Sequence, residues 1–225
     1  LRMSLPDIPA RVAVDGVEFI EFATRGSEAD ALERLLKTMG FGERGRHVSK
    51  DVTLWQQGEA RVLLNRETTG FASSAFAMHG TTVCDIGLRV ASATDTITRA
   101  LALGATPFQQ PVGPGELEIP AIRGVGGGIM HVIDRTSGLS DMWSQDFHQT
   151  DGATPEGAGL LAVDHVAETM NYDEMLSWSL FYTSIFDMAR APMVDVIDPD
   201  GLVRSQAIWS TDGGTRITLN GAETH

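Results

Sequence analysis

Three stretches of this chain repeat one order of elements, and that repetition limits the folds open to it. In each stretch a polar residue able to cap a helix, at Ser27, Ser92 or Asn171, is followed three positions later by an acid. Such pairs satisfy the unbonded amide groups at the start of a helix. The chain is therefore predicted to consist of repeated units, each of which buries its apolar face against a neighbour.

A short apolar strand precedes each predicted helix, and further strands follow it. The leading strands are predicted at 17–22, 86–90 and 163–167, and the helices at 28–39, 93–103 and 172–186. Alternating apolar residues and glycine turns predict the later strands. These lie at 41–47, 52–56, 60–65, 106–110, 115–122, 128–134, 193–197, 202–209 and 215–220.

One copy of the repeat differs from another at a single informative position. Counting back from Ser92 and Asn171 makes Ile86 and His165 equivalent, and an aspartate precedes each of them. A histidine in place of an apolar strand residue suggests a ligand at His165. Taken alone, however, a strand histidine is more often structural, because one imidazole does not make a metal site.

The net charge of −13 excludes some classes of partner. Nucleic-acid binding needs clustered Lys and Arg, and an anionic membrane repels an acidic surface, so neither partner is expected. The chain has no run of about 18 apolar residues and no signal-peptide pattern, which predicts a cytoplasmic protein. Its single cysteine, Cys84, lies in an apolar stretch and is expected in the core.

The glycine-rich segment at 124–128 resembles a phosphate-binding loop only superficially. Its glycines are too close together, and neither the Lys-Ser/Thr pair nor a helix follows. We predict a structural turn there.

Several longer motifs carry a resemblance to a known family. They are GVEFIEF at 16–22, HVSKDV at 47–52, QGE at 57–59, GPGELEIPAIRGVGG at 113–127 and IDR at 133–135. Over residues 14–221 the chain resembles the 4-hydroxyphenylpyruvate dioxygenases of the vicinal oxygen chelate superfamily. The resemblance implies an α+β fold of paired βαβββ modules, with mixed sheets curled into open half-barrels as in glyoxalase.

The same resemblance implies a non-haem dioxygenase that uses Fe(II), or another divalent metal, with an aromatic 2-oxo acid and O₂, giving homogentisate. Imidazole and carboxylate ligands suit ferrous iron and leave positions open for both substrates. The family's first metal histidine lies in an Asp-His-hydrophobic segment, matched here by His165. The other histidines are expected to be structural or solvated: His47, His79, His131 and His148.

Substrate contacts are implied at two further positions. Ser205 and Asn220 keep the family spacing of a serine and an asparagine that face the substrate. Both can hydrogen-bond an oxygen atom in an otherwise apolar pocket, although an exposed serine and a turn asparagine would look the same in sequence. Gln206 and Thr218 are both expected beside this pocket. They stand where the family usually has lysine and proline, which questions the identity of the substrate.

The resemblance also divides the chain. Residues 1–11 are predicted to be a linker, 12–150 a metal-free domain of two modules, and 151–225 the first module of the metal-binding domain. The second histidine and the glutamate of the metal triad have no match in these 225 residues, so the chain alone is expected to be inactive. An uncovered strand edge predicts a homo-oligomer or a further segment that covers it.

Two other functions remain open at the level of the sequence. The Pro-containing start could be a linker behind a sugar-phosphate-isomerase-like barrel, with this chain an accessory domain of a 3-dehydroshikimate dehydratase. The chain could also be a metal-free ligand-binding module, a type that the superfamily includes.

Overall fold

The strands of this chain form two separate sheets. The computed structural model describes residues 7–150, 156–198 and 201–222. The first sheet has nine strands: β1 (Val14–Ala23), β2 (Gly42–His47), β3 (Val52–Gln57), β4 (Ala60–Asn65), β5 (Thr82–Val90), β6 (Pro107–Phe108), β7 (Ala121–Arg123), β8 (Ile129–Ile133) and β9 (Phe147–Gln149). The second has five: β10 (His165–Asn171), β11 (Met188–Arg190), β12 (Val194–Asp198), β13 (Gly201–Ser210) and β14 (Arg216–Ala222).

Five α-helices accompany these sheets: α1 (Gly26–Thr38), α2 (Gly70–His79), α3 (Ala93–Ala102), α4 (Met142–Gln145) and α5 (Met175–Ile185). Short 3₁₀ turns cover Val125–Gly127, Leu139–Asp141 and Tyr172–Glu174. No helix in the described ranges is both long and apolar enough to cross a bilayer.

Each of the three units closes in the same way, because its first strand pairs in parallel with its last. The parallel pairs are β1 with β4, β5 with β8, and β10 with β14. Antiparallel pairing of β1 with β5 joins the first two units into the nine-stranded sheet. The predicted βαβββ modules are thus confirmed, and the third has one extra strand after its helix.

Two of the three predicted helix caps are confirmed. Ser92 Oγ accepts a hydrogen bond from the Asp95 amide at 3.2 Å, and Asn171 with Glu174 forms a reciprocal capping box. The cap predicted at Ser27 is wrong, because α1 already begins at Gly26, after an extended Arg25. Gly26 turns the chain into the helix with a positive φ of 51°, which disfavours other residues.

Helices α3 and α5 lie between the two sheets, and one hydrophobic core connects both halves of the chain. Leu88 and Val132 from the first sheet belong to the same buried cluster as Ile208 and Leu219 from the second. The Arg99 guanidinium reinforces this contact by donating to the Ser184 carbonyl at 2.6 Å. The face of each sheet that packs on these helices is called its outer face here, and the opposite face its inner face. The two outer faces therefore meet through the helices, and the two inner faces point away from each other.

The segments that cover the inner face of the first sheet are those whose secondary structure the sequence did not predict correctly. The strand predicted at 115–122 is an irregular segment apart from β7, and the predicted connection after 136 contains α4 and β9. The predicted turn at 124–128 is confirmed, since the Gly124 amide donates to the Gly128 carbonyl at 2.8 Å. Cys84 is buried as expected.

Candidate functional site

The three residues predicted from the sequence to form a site lie on one face of the second sheet. Asn220 on β14 pairs directly with Ser205 on β13, and His165 on β10 pairs with Arg216 at the other end of β14. Directly paired residues of neighbouring strands project from the same face of a sheet. His165, Ser205 and Asn220 therefore share a surface.

That surface, called the open face here, consists of three rows of three residues. The rows are His165–Arg216–Trp209, Ala167–Thr218–Ala207 and Thr169–Asn220–Ser205. All nine side chains are exposed or half-buried. The residues between them project the other way, and Ile208, Ile217 and Leu219 are fully buried against α5 and the shared core.

A carboxylate holds the imidazole of His165. Nδ1 of His165 lies 2.9 Å from Asp164 Oδ2, while Arg216 Nη1 donates to the other oxygen of Asp164 at 2.6 Å. These hydrogen bonds, first that of His165 and then that of Arg216, lower the pKa of Asp164. Because a carboxylate on one ring nitrogen directs the other towards a metal, Nε2 of His165 is the atom suited to bind an ion.

Ser205 and Asn220 lie at the opposite end of the open face. Asn220 lies four residues after Arg216 along β14, which places the two rows ~13 Å apart. Neither Ser205 nor Asn220 makes a side-chain hydrogen bond within the described ranges, so both can bond a ligand. Between the rows, the small side chains of Ala167, Ala207 and Thr218 leave room above the sheet.

One sequence expectation about this surface is wrong. Gln206 does not border the open face, because it projects into the core on the opposite side of β13. There it accepts a hydrogen bond from Ser179 Oγ at 2.8 Å and donates to the Ala191 carbonyl at 3.0 Å. Of the two departures from the family pattern, only Thr218 lies where a ligand could meet it.

Beneath the open face lies a half-buried carboxyl group that the sequence did not predict. Glu168 is on β10 but points inward, and the Tyr182 hydroxyl donates to its two oxygens, each at 2.9 Å. Burial raises the pKa of Glu168 to about 7, although the Tyr182 hydrogen bond opposes the rise. The available signal was the strand alternation, which puts even-numbered residues of β10 on the core side.

The described residues do not by themselves make a metal centre. Among residues 7–150, 156–198 and 201–222, no three His, Cys, Asp or Glu side chains cluster as a metal would require. His165 provides one suitable nitrogen, and one imidazole cannot hold Fe(II) firmly against water.

Comparisons with known proteins agree with this architecture. Residues 9–148 match the family model described as hydroxyphenylpyruvate dioxygenase, N-terminal. A 3-dehydroshikimate dehydratase of Pseudomonas putida is 38% identical over 215 residues, covering 96% of this chain and 34% of the relative. A 4-hydroxyphenylpyruvate dioxygenase of a Pseudomonas species is 37% identical over 207 residues, covering 91% of this chain and 57% of the relative. The chain thus spans about a third of the dehydratase and just over half of the dioxygenase.

Two solved structures are similar as well. A fusion of a xylose isomerase-like TIM barrel with a 4-hydroxyphenylpyruvate dioxygenase superposes with a TM-score of 0.83 at 36% identity, covering 100% of this chain and 35% of that chain. A triple mutant of 4-hydroxymandelate synthase from Streptomyces coelicolor superposes with a TM-score of 0.75 at 16% identity, covering 93% and 63%. The latter likeness concerns the fold alone.

Proposed function

Since the chain belongs to the hydroxyphenylpyruvate dioxygenase family, we propose that its open face is one wall of a dioxygenase site. This site takes an aromatic 2-oxo acid and O₂ with Fe(II) or another divalent metal, as in the conversion of 4-hydroxyphenylpyruvate to homogentisate. His165 supplies one metal ligand, while Ser205 and Asn220 bind the substrate. We expect the protein to be cytoplasmic and homo-oligomeric.

One observation supports this proposal most strongly: His165, Ser205 and Asn220, although distant in sequence, share one exposed surface. His165 is oriented by Asp164 at one end, and two unbonded hydrogen-bonding side chains lie at the other. The small residues between them suit the ring of an aromatic acid.

The chain's own residues would divide the work as follows. The metal, when bound, supplies a chelation point for the 2-oxo acid and the activation of O₂. Asp164 keeps a proton on Nδ1 of His165 and so keeps Nε2 free of it. Ser205 and Asn220 hold an oxygen of the substrate away from the metal end and thereby fix the direction in which the ring lies.

Metal analysis of the full natural protein tests the proposal. We expect His165→Ala to lower bound divalent metal at least tenfold, the size seen when metal-site partners are removed. His148→Ala is the matched control, because His148 is exposed on β9 in the other sheet. Unchanged metal content in His165→Ala, with both variants folded, would contradict a metal role for His165.

A second candidate rests on the dehydratase relatives. A 38% identical relative is named as a 3-dehydroshikimate dehydratase, and the superposed fusion protein carries a TIM barrel. In a protein of that kind this chain would be an accessory domain beside a separate catalytic barrel. Metal-loaded full protein that dehydrates 3-dehydroshikimate but consumes no O₂ with 4-hydroxyphenylpyruvate would favour this second function.

A further inference from the structure

The first sheet forms one wall of a partly open cavity that the proposed dioxygenase site does not use. Its volume is about 460 Å³, within the range of small-molecule sites. The inner face of the sheet forms its floor, and segments 107–121 and 142–147 cover it. Apolar side chains make most of the wall, among them Phe19, Val52, Leu63, Phe108 and Phe147.

One end of the cavity is polar, because three neighbouring strands each contribute an ionisable side chain. Asp85 Oδ2 on β5 lies 2.7 Å from His131 Nδ1 on β8. Glu21 on β1 accepts a hydrogen bond from Asn65 Nδ2 at 2.7 Å and one from Cys84 Sγ at 3.8 Å. Glu21 and Asp85 are themselves direct partners in the β1–β5 ladder, so the two carboxyl groups are side by side.

Two buried atoms at this end lack a hydrogen-bond partner within the described part of the chain. Asp85 is only 5% exposed, yet its Oδ1 makes no hydrogen bond, and neither does Nδ1 of His131, although that nitrogen faces the other oxygen of Asp85. A buried polar atom without a hydrogen-bond partner lowers stability, and more so when the group is charged. A hydrogen-bond donor entering the cavity would remove that cost.

The protonation states at this end follow from burial and from the neighbouring charges. Burial, with Asp85 adding to it, raises the pKa of Glu21 to about 7. Burial opposes ionisation of His131, but the carboxylate of Asp85 outweighs it and raises the pKa of His131. One oxygen of Asp85 is already engaged with His131, and Glu21 is the group left to meet an incoming charge.

Acids also outnumber bases around the rest of the cavity. Glu116 and Asp146 line it with Glu118, while Lys50 is already paired with Glu116 at 2.5 Å. His47 remains neutral at pH 7, because burial and Lys50 lower its pKa to about 4. A cavity with this balance attracts cations and repels anions.

We propose that this cavity binds a small organic cation, a primary amine on an apolar body, with its ammonium group at Glu21 and Asp85. The apolar body would lie along Phe19, Leu63 and Phe147. This site lies on the other sheet from the open face, and neither the metal nor the aromatic 2-oxo acid takes part in it.

Calorimetric titration of the full chain at pH 8 tests the proposal with 2-phenylethylammonium as the probe. We expect saturable binding of the amine, at least tenfold weaker binding of the neutral 2-phenylethanol, and no binding of phenylacetate. Absence of amine binding, or equal affinity for amine and alcohol, would overturn the proposal.

Two substitutions distinguish binding in the cavity from attraction of the amine to the protein's overall negative charge. Glu21→Gln keeps the shape of the side chain and its contact with Asn65, and should weaken amine binding at least tenfold. Glu156→Gln removes the same charge from an exposed loop outside the cavity and should leave the affinity within twofold. Wild-type affinity in a Glu21→Gln protein of normal thermal stability would refute the role of Glu21.

Proton release gives an independent readout. At pH 7 an ammonium group that binds at Glu21 should drive a proton from it, so the observed heat will differ between phosphate and Tris buffers. Equal heats in the two buffers would place the amine away from Glu21.

Discussion

The inner faces of the two sheets are built from the same module but meet their surroundings in opposite ways. The first is covered by irregular chain, α4 and β9, and lines a partly open cavity with buried acids. The second is uncovered in the described ranges and carries His165 beside Arg216 on an exposed surface. A shared strand order thus fixes where side chains converge, while the connections between modules decide whether that place is buried.

The side chains at matching places account for much of this contrast. Large apolar residues such as Phe19, Leu54 and Leu63 pack the inner face of the first sheet. The middle row of the open face has only Ala167, Thr218 and Ala207. Large residues need covering chain to bury them, whereas small ones leave a surface that a ligand can reach.

The largest difference between the two faces should appear in stability. Leu54→Ala removes a side chain that is 2% exposed and should lower the free energy of unfolding by about 2–5 kcal/mol. Thr218→Ala, on the open face, should change it by no more than about 0.5 kcal/mol. Urea unfolding of the full chain measures both, and equal losses would show that the open face is buried in solution.

A smaller effect should be common to both halves, because each contains a half-buried glutamate with a raised pKa. The pKa is about 7 for Glu21 and for Glu168, against an ordinary value of 4.5. The folded chain then keeps a proton that the unfolded chain releases between pH 4.5 and 7. The stability from this proton is full below about pH 4.5 and is lost as the pH rises through 7.

Glutamine substitution should remove that loss in each half. The wild-type chain loses free energy of unfolding between pH 4.5 and pH 8. Glu21→Gln and Glu168→Gln should each reduce that loss by about 1–3 kcal/mol. Denaturant unfolding at the two pH values provides the measurement. If the pH dependence of the unfolding free energy decreased in only one variant, the environments of Glu21 and Glu168 would differ more than the structure indicates.

The smallest stability effect is expected at the substrate end of the open face. Ser205→Ala and Asn220→Ala should leave the free energy of unfolding within about 0.5 kcal/mol, because neither side chain has a hydrogen-bond partner among the described residues. Each should weaken binding of 4-hydroxyphenylpyruvate to the metal-loaded full protein about 3- to 10-fold, the effect of one hydrogen bond. Unaltered binding in both variants would remove these residues from the proposed site.

The sequence predicted most of the repeated architecture because its signals are local. The caps at Ser92 and Asn171 lie within one turn of the helices they start. Ser27 failed as a cap because α1 begins one residue earlier, and the residue before the helix is tied to distant chain: the Arg25 guanidinium donates to Ser73 Oγ and the Glu67 carbonyl. Helix α2 was missed because its apolar residues do not form one clear stripe.

The site was predictable only as far as a family pattern or a repeat could point. His165, Ser205 and Asn220 were named from such patterns, and the strand register then places them on one face. His131 was expected to be structural or solvated, and its sequence gives no sign that Asp85 lies beside it. Such pairs depend on which strands become neighbours, which no local pattern determines.

The parallel closure of each module also bears on how the chain is made. As the protein leaves the ribosome, β1 emerges before the strands that will lie on either side of it, β4 and β5. Its edges therefore wait unpaired while more than a full helix and two strands are synthesised, and non-local pairing of this kind is slow. Unpaired strand edges promote aggregation, so the synthesis of this chain carries such a risk.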